Sequence, residues 1–338
     1  MRPLFHFNFI GGVMYTNRGN ISLSMAVWLA SDDYDLRFDP KVISVTDLLQ
    51  PIRSLILTRR LKEKQVKSSV DIAELIPSRL GSAVHTAVEV AWLDNREKAM
   101  KLLGIPQNQI DRIRLNADNQ DDPNAIYIYI ERRNSIEMEG FTVSGRFDIV
   151  DQGMLEDVKT TKTYSWIKGT NNERYRYQGS MYRLINPDII TNDFMNVQYM
   201  FTDWSPYQAQ ANKDYPQKRV MAKRLKLLSL KDTEFFMRTK LQEIKKHQVL
   251  KQEELPNCTP EELWQDPPKW AYYKDKTKTV RATKLFDSAA EATSRNAADG
   301  AKGKIVKRDA EPTFCKYCDA RPICTQAEYY IAEGLLQL

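Results

Sequence analysis

Three residues set the chemistry this chain is equipped for: Asp148, Asp157 and Lys159. They stand in VSGRFDIVDQGMLEDVKT (143–160), where two strand-like runs flank Asp151, Gln152 and Gly153, a turn-forming trio. The pattern predicts a β-hairpin in which Val150 pairs with Leu155 and Asp148 falls opposite Asp157. Side chains alternate along a strand, so Asp157 and Lys159 share one face, with Glu156 and Val158 on the other. Two neighbouring carboxylates resist joint ionisation unless a cation lies between them. Mg²⁺ and Mn²⁺ favour oxygen ligands and retain waters. Such an ion acidifies a water and polarises a phosphoryl oxygen, which is the chemistry of metal-assisted hydrolysis. Lys159 would orient the attacking water, or act as its base if its pKa is depressed. A surface hairpin with an ordinary Asp–Lys pair is the alternative for a bare D…DxK pattern.

Other stretches carry matching residues. Gln178 and Tyr182 lie at i and i+4 in NERYRYQGSMYRLI, so a helix would present them on one face, flanked by Arg174, Arg176 and Arg183. Upstream, RLGSAVHTAVEVAW holds Gly81 and His85, with Glu89 one turn later. His85 adjoins an apolar stripe, where a lone histidine is more often a satisfied core residue than a ligand. Glu131, in the alternating run IYIYIERR (126–133), is a candidate further acid near the site, although a glutamate on a strand's polar face is usually solvated.

In order, Gly-x-x-x-His, Gly-x-x-Asp, Asp-x-Lys and Gln-x-x-x-Tyr resemble the RecB-like branch of the PD-(D/E)XK nuclease superfamily. That branch includes the RecB and AddB nuclease domains and the CRISPR-adaptation exonucleases. ISVTDLLQPIRSLIL (43–57) is similar to the SVTxLL opening of phage-encoded members. The resemblance implies a three-layer, restriction-endonuclease-like α/β core. It implies that His85, Asp148, Asp157 and the Val158 carbonyl bind Mg²⁺ or Mn²⁺, and that Lys159 is the catalytic lysine. Gln178 and Tyr182 would complete the site and contact a DNA strand, with Arg174, Arg176 and Arg183 as DNA-binding neighbours. The implied activity is a deoxyribonuclease, foremost an exonuclease on DNA ends in phage recombination or processing, with a recombination or replication protein as a compatible partner. An endonuclease of the same fold, RNA as substrate, and a non-catalytic DNA-binding protein remain as alternatives.

Those residues need elements to hold them. Ser44 and Asp47 form a capping-box pattern before a helix with Leu48, Leu49, Ile52, Leu55 and Ile56 on its apolar face. A long helix is expected from about Pro77 to Leu103, broken near Asn95, with Gly81 allowing close packing and Ala83, Val84, Ala87, Val88 and Trp92 inward. The run 126–133, the hairpin and NVQYMFTDWS (196–205) make a mixed sheet of at least four strands, with helices on its faces. A helix over 230–255 would turn Phe235, Phe236, Leu241 and Ile244 inward. The basic stretches 59–67 and 205–230 are each readable as solvated segments or as nucleic-acid-facing strips.

The four cysteines all lie late: Cys258, Cys315, Cys318 and Cys324. A C-x2-C-x5-C cluster at one end of a cytosolic chain points to metal ligation rather than disulfides. Four thiolates hold Zn²⁺ or a 4Fe–4S cluster. The spacing resembles the iron–sulfur signature of AddB-type and CRISPR-adaptation nucleases, which places iron–sulfur ahead of zinc. Those relatives carry the fourth cysteine before the nuclease core, whereas Cys258 follows it, so a free Cys258 thiol stays open. The metal would staple a C-terminal module with short strands and a helix capped by Ser288 and Glu291.

The 338 residues fit about two domains: an N-terminal extension 1–40, a nuclease core 41–255 and a cysteine module 256–338. Net charge is +6, compatible with nucleic acid without being diagnostic. No apolar stretch reaches the roughly 18 residues of a membrane helix, and the interrupted N-terminal run is not a convincing signal peptide, so a cytoplasmic protein is expected. Met14 is an alternative start. No glycine-rich phosphate loop is present, which argues against a motor ATPase.

Overall fold

The computed structural model describes residues 13–31, 38–64, 68–278 and 280–337. Two compact units divide the chain: Met1–Leu49 with Gln65–Gln242, and Gln50–Lys64 with Glu243–Leu338. The stretch expected as a module from 256 onward falls within the second unit, which also takes in 50–64 and 243–255. The signal-like run at residues 1–12 lies outside the described residues.

In the first unit the chain runs β1 (Val13–Thr16), α1 (Leu23–Ala30), β2 (Val42–Ser44) and α2 (Val45–Leu48). Helix α3 (Ile52–Glu63) belongs to the second unit. The first unit resumes with β3 (Ser68–Asp71), α4 (Ile76–Asp94), α5 (Arg96–Leu102), α6 (Gln107–Ile110), β4 (Ile113–Leu115), β5 (Ile126–Ile130), β6 (Arg133–Met138) and β7 (Phe141–Arg146). There follow β8 (Ile149–Asp151), β9 (Met154–Thr161), α7 (Thr163–Lys168), α8 (Asn172–Ile185), β10 (Phe194–Phe201), α9 (Pro206–Ala211) and β11 (Val220–Lys226). Helix α10 (Leu230–His247) carries the chain across the boundary. The second unit continues with β12 (Lys269–Tyr273), β13 (Lys284–Phe286), α11 (Ala289–Ala298), β14 (Lys304–Arg308) and α12 (Thr325–Ala332). The class is mixed α/β, as expected, with mixed sheets flanked by helices.

A six-stranded sheet, ordered β11-β10-β9-β8-β5-β4, forms the centre of the first unit. Val150 pairs with Leu155 as the turn chemistry predicts, and Gln152 and Gly153 both take left-handed φ values, 47° and 83°, the signature of a type I′ hairpin. Alternation then sorts β9. Leu155 and Asp157 are buried on one face with Met195, Val197 and Tyr199 of β10. Helix α8 covers that face with Tyr175, Met181 and Tyr182. Helix α4 crosses the other, where a Cβ added at Gly81 would meet Thr160 Oγ1 of β9 at 3.6 Å. That is ordinary van der Waals contact, so the packing that Gly81 was expected to allow is not tight enough to exclude an alanine.

The run read as one strand, VSGRFDIV, is divided between two sheets. β7 pairs with β2 and β6 in a three-stranded sheet, while β8 joins β5 and β9. The partner strand breaks at the same level. β5 ends at Ile130, Glu131 adopts φ 49°, and β6 begins at Arg133 in the other sheet. The crossover is held by Glu131 N donating to Asp148 O at 2.8 Å and Phe147 N to Arg132 O at 3.3 Å. Strands that bend from one sheet to another in this way re-aim the side chains at the bend.

Other expectations divide similarly. The Ser44–Asp47 capping box forms, but Pro51 caps a separate helix α3, so Leu48 and Ile52 do not share one helix. Helices α4 and α5 meet at Asn95, the predicted break. The stripe of α4 is half-buried rather than core, and Ala87 is exposed. α10 stops at His247. Phe235 is 73% exposed, while Met237, Leu241 and Ile244 make its buried stripe. Among the described residues, no helix is long and apolar enough to cross a membrane.

Candidate active site

The sheet break and the two covering helices bring the motif residues of the first unit together. Asp148 and Glu131 lie at the bend, and both reach His85 on α4. His85 Nδ1 stands 3.3 Å from Glu131 Oε1 and 3.5 Å from Asp148 Oδ1. Its Nε2 faces the Val158 carbonyl at 3.1 Å. Asp148 Oδ2 accepts the Val158 N–H at 2.7 Å. Ligand atoms of His85, Glu131 and Asp148 all lie within 4.8 Å of one another. Glu131, weighed in the sequence as a further acid against a solvated strand residue, is therefore a full member of the cluster. Its side chain is only 9% exposed, and its other oxygen meets Arg146 Nε at 3.1 Å.

On the α8 side, Asp157 Oδ2 meets Lys159 Nζ at 2.6 Å, and Lys159 stands over the Tyr175 ring at 5.5 Å. Asp157 Oδ2 is fully buried, yet beyond that ion pair it accepts no well-directed hydrogen bond. A buried carboxylate oxygen normally has such donors. The donor set of His85, Glu131 and Asp148, two carboxylates with one imidazole, could hold a metal ion. Gln178 Nε2 donates to Tyr182 Oη at 2.9 Å, the i, i+4 pair expected. Glu156 turns to the other face, where it accepts from Asn196 and Gln198.

Charge coupling follows from this crowding. Burial pushes the Asp148 carboxyl up, and the Asp157 charge adds to it, to about 7. His85 is raised by its hydrogen bond to Glu131, against a cost of burial, with further help from Asp148. Burial alone would lower the Lys159 ammonium, but the Asp157 and Asp148 carboxylates outweigh it and the net direction is up. That is opposite to what a general base needs, and it leaves Lys159 as a hydrogen-bond donor.

The arginines do not act alike. Arg183 is 9% exposed and donates to the Asn192 and Leu228 carbonyls. Its two terminal nitrogens serve the framework, while its buried Nε has no hydrogen-bond partner among the described residues. Arg176 donates to the Lys226 carbonyl and pairs with Glu173, and Arg174 is half-buried. Gly145, the glycine of the Gly-x-x-Asp motif, has a packing reason. A Cβ there would stand 2.8 Å from Tyr182 Cε1 and 2.9 Å from Val45 Cγ2. Gly145→Ala is expected to lower stability by about 1–3 kcal/mol through displacement of the Tyr182 ring. Urea denaturation measures it, and an unchanged midpoint would refute the packing claim.

In the second unit the four cysteines converge. Cys258, Cys315, Cys318 and Cys324 all line one recess with Leu263, Phe314 and Ala327, and all four are free thiols. The C-x2-C-x5-C trio comes from two short 3-10 helices, Thr313–Tyr317 and Arg321–Ile323, and the residues that cap them before α12. Cys258 reaches it through Gln326, whose amide accepts from Cys258 N at 2.8 Å and donates to Cys258 O at 3.0 Å. Burial raises the thiols of Cys258, to about 12, and Cys315, to about 11. Four such thiols around one recess have the composition of a tetrathiolate metal site.

No family model matches the sequence, and no curated protein matches it. Among solved structures the chain is similar to the one described as "Crystal structure of SSO0001", at 14% identity and a TM-score of 0.37 over 61% of this chain and 77% of that chain. A likeness at that level carries no argument about function.

Proposed function

We propose that the chain is a metal-dependent deoxyribonuclease with a restriction-endonuclease-like core, acting foremost on DNA ends. One observation carries the reading. Four motifs far apart in sequence supply His85, Asp148, Asp157, Lys159, Gln178 and Tyr182 to one unit, around the buried Asp157–Lys159 ion pair. His85, Glu131, Asp148, Asp157 and the Val158 carbonyl would hold Mg²⁺ or Mn²⁺. When bound, the ion would supply Lewis acidity toward the scissile phosphate and lower the pKa of water. Asp157 positions the Lys159 ammonium, which orients the attacking water and donates to a developing phosphoryl charge. Gln178 and Tyr182 form a polar pair suited to fixing the strand beside the scissile bond.

Cleavage of linear single-stranded and double-stranded DNA should be compared with covalently closed circles at equal metal. Loss of linear DNA alone supports end-dependent action. Cutting of circles shifts the reading to an endonuclease.

The same proposal includes a tetrathiolate centre in the second unit, iron–sulfur ahead of zinc. Its binding energy would be folding energy for a unit with a small core. Removing that metal is expected to lower the melting temperature of the second unit by about 10 °C or more. Calorimetry before and after chelation checks this, and superimposable traces from metal-loaded and stripped protein would end the staple idea.

A further inference from the structure

Helix α3 places a charged side chain where no charge would settle without a reason. Arg53 is 3% exposed. Its Nε donates to Cys324 Sγ at 3.4 Å. Nη1 donates to the Leu255 carbonyl at 2.9 Å and the Gln252 carbonyl at 3.4 Å, and Nη2 to Thr325 Oγ1 at 2.7 Å. None of these partners is a carboxylate. The next residue, Ser54, is 7% exposed, and its hydroxyl lies 3.2 Å from Cys318 Sγ. Both residues line the four-cysteine recess.

A guanidinium stays protonated in a protein, and a buried charge without a counter-charge costs several kcal/mol. Three carbonyl or hydroxyl partners satisfy its N–H groups but do not neutralise it. Among its contacts, only the sulfur side can carry the opposite charge.

We infer that Arg53 is the counter-charge of an anionic tetrathiolate metal centre and controls how firmly that centre keeps its metal. The inference rests on the tetrathiolate reading of the cysteines. Charge balance fits it. Four thiols release four protons to solvent on binding Zn²⁺ or a [4Fe–4S]²⁺ cluster, and either product carries a net charge of −2. Arg53 halves that buried excess. It is a positioning residue, acting through Cys324. It also gives residues 50–64 a reason to leave the first unit: the helix delivers the cation.

The test uses the full chain, purified without oxygen, as wild type, Arg53→Gln, Arg53→Lys and Thr325→Val. Elemental analysis and visible absorption distinguish iron–sulfur from zinc. Metal release to a chelator is then timed, and melting is recorded for metal-loaded and stripped forms of each. The expected result is release about 10–100-fold faster in Arg53→Gln, with a smaller gain in melting temperature on metal loading. Arg53→Lys should stay near wild type, because it keeps the charge. Thr325→Val, which removes one partner and no charge, should do the same. In an iron–sulfur protein, Arg53→Gln should also lower the reduction potential, since the reduced cluster carries one more negative charge. Arg53→Met replaces the glutamine variant should the latter fail to fold. An equal loss of stability in loaded and stripped forms with unchanged release would make Arg53 a structural clamp and overturn the inference. So would an Arg53→Lys chain as leaky as Arg53→Gln. A wild-type protein that binds neither zinc nor iron would instead fail the tetrathiolate reading itself.

Discussion

Lys159→Met is expected to lower the rate of DNA cleavage by about three orders of magnitude or more, with DNA binding largely kept. Methionine fills much of the lysine's volume beside Tyr175 but removes the donor that Asp157 holds at 2.6 Å. Asp157 is 1% exposed. Without its partner it becomes a buried, unpaired carboxylate, so the metal-free variant should also lose about 3–5 kcal/mol of stability. A divalent ion should restore more stability to this variant than to wild type, because it gives Asp157 a cation again. Single-turnover kinetics and melting with and without Mg²⁺ read both effects. A variant that cleaves within tenfold of wild type would remove Lys159 from the chemistry.

Asp148→Asn should separate stability from activity. Burial and the neighbouring Asp157 carboxylate raise Asp148 from 3.8 to about 7. The folded state therefore keeps a proton that the unfolded chain releases, and stability falls as pH rises from about 4 to about 7. His85, also raised, contributes in the same direction at higher pH. Asparagine cannot ionise and still accepts the Val158 N–H. The metal-free variant should gain on the order of 2–4 kcal/mol over wild type at pH 8 and show a flatter pH profile. It should also lose cleavage, because a neutral amide is a poor metal ligand. In wild type, a divalent ion competes with the Asp148 proton, so the stabilisation it confers should grow as pH rises through about 7. Chemical denaturation from pH 4 to 8 checks the slope. A variant less stable than wild type at pH 8 would contradict the electrostatic account.

What could be read in advance depended on how local the cause was. The DQG turn alone places Val150 opposite Leu155, and alternation alone puts Asp157 and Lys159 on one face. The Ser44–Asp47 and Ser288–Glu291 caps are likewise complete within four residues. Glu131 was legible only as a candidate acid, not as a firm one, because nothing in IYIYIERR marks the left-handed residue at which its strand changes sheets. VSGRFDIV keeps a continuous strand pattern across the same break. The membership of Arg53 in the second unit, and of Cys258 in the cysteine recess, depends on contacts more than sixty residues distant in sequence. Phe235 fails for another reason: a helix with Met237, Leu241 and Ile244 has a full buried stripe without it.

The proposed hydrolysis of DNA phosphodiesters needs a divalent ion held by the His85, Glu131 and Asp148 cluster beside Asp157. Its most direct test is the cleavage of linear DNA by the folded full-length protein in Mg²⁺, in Mn²⁺ and in EDTA. Cleavage is expected in either metal, none in EDTA, and recovery when Mn²⁺ is returned. Cleavage that persists in EDTA, or none by folded protein in either metal, would contradict it.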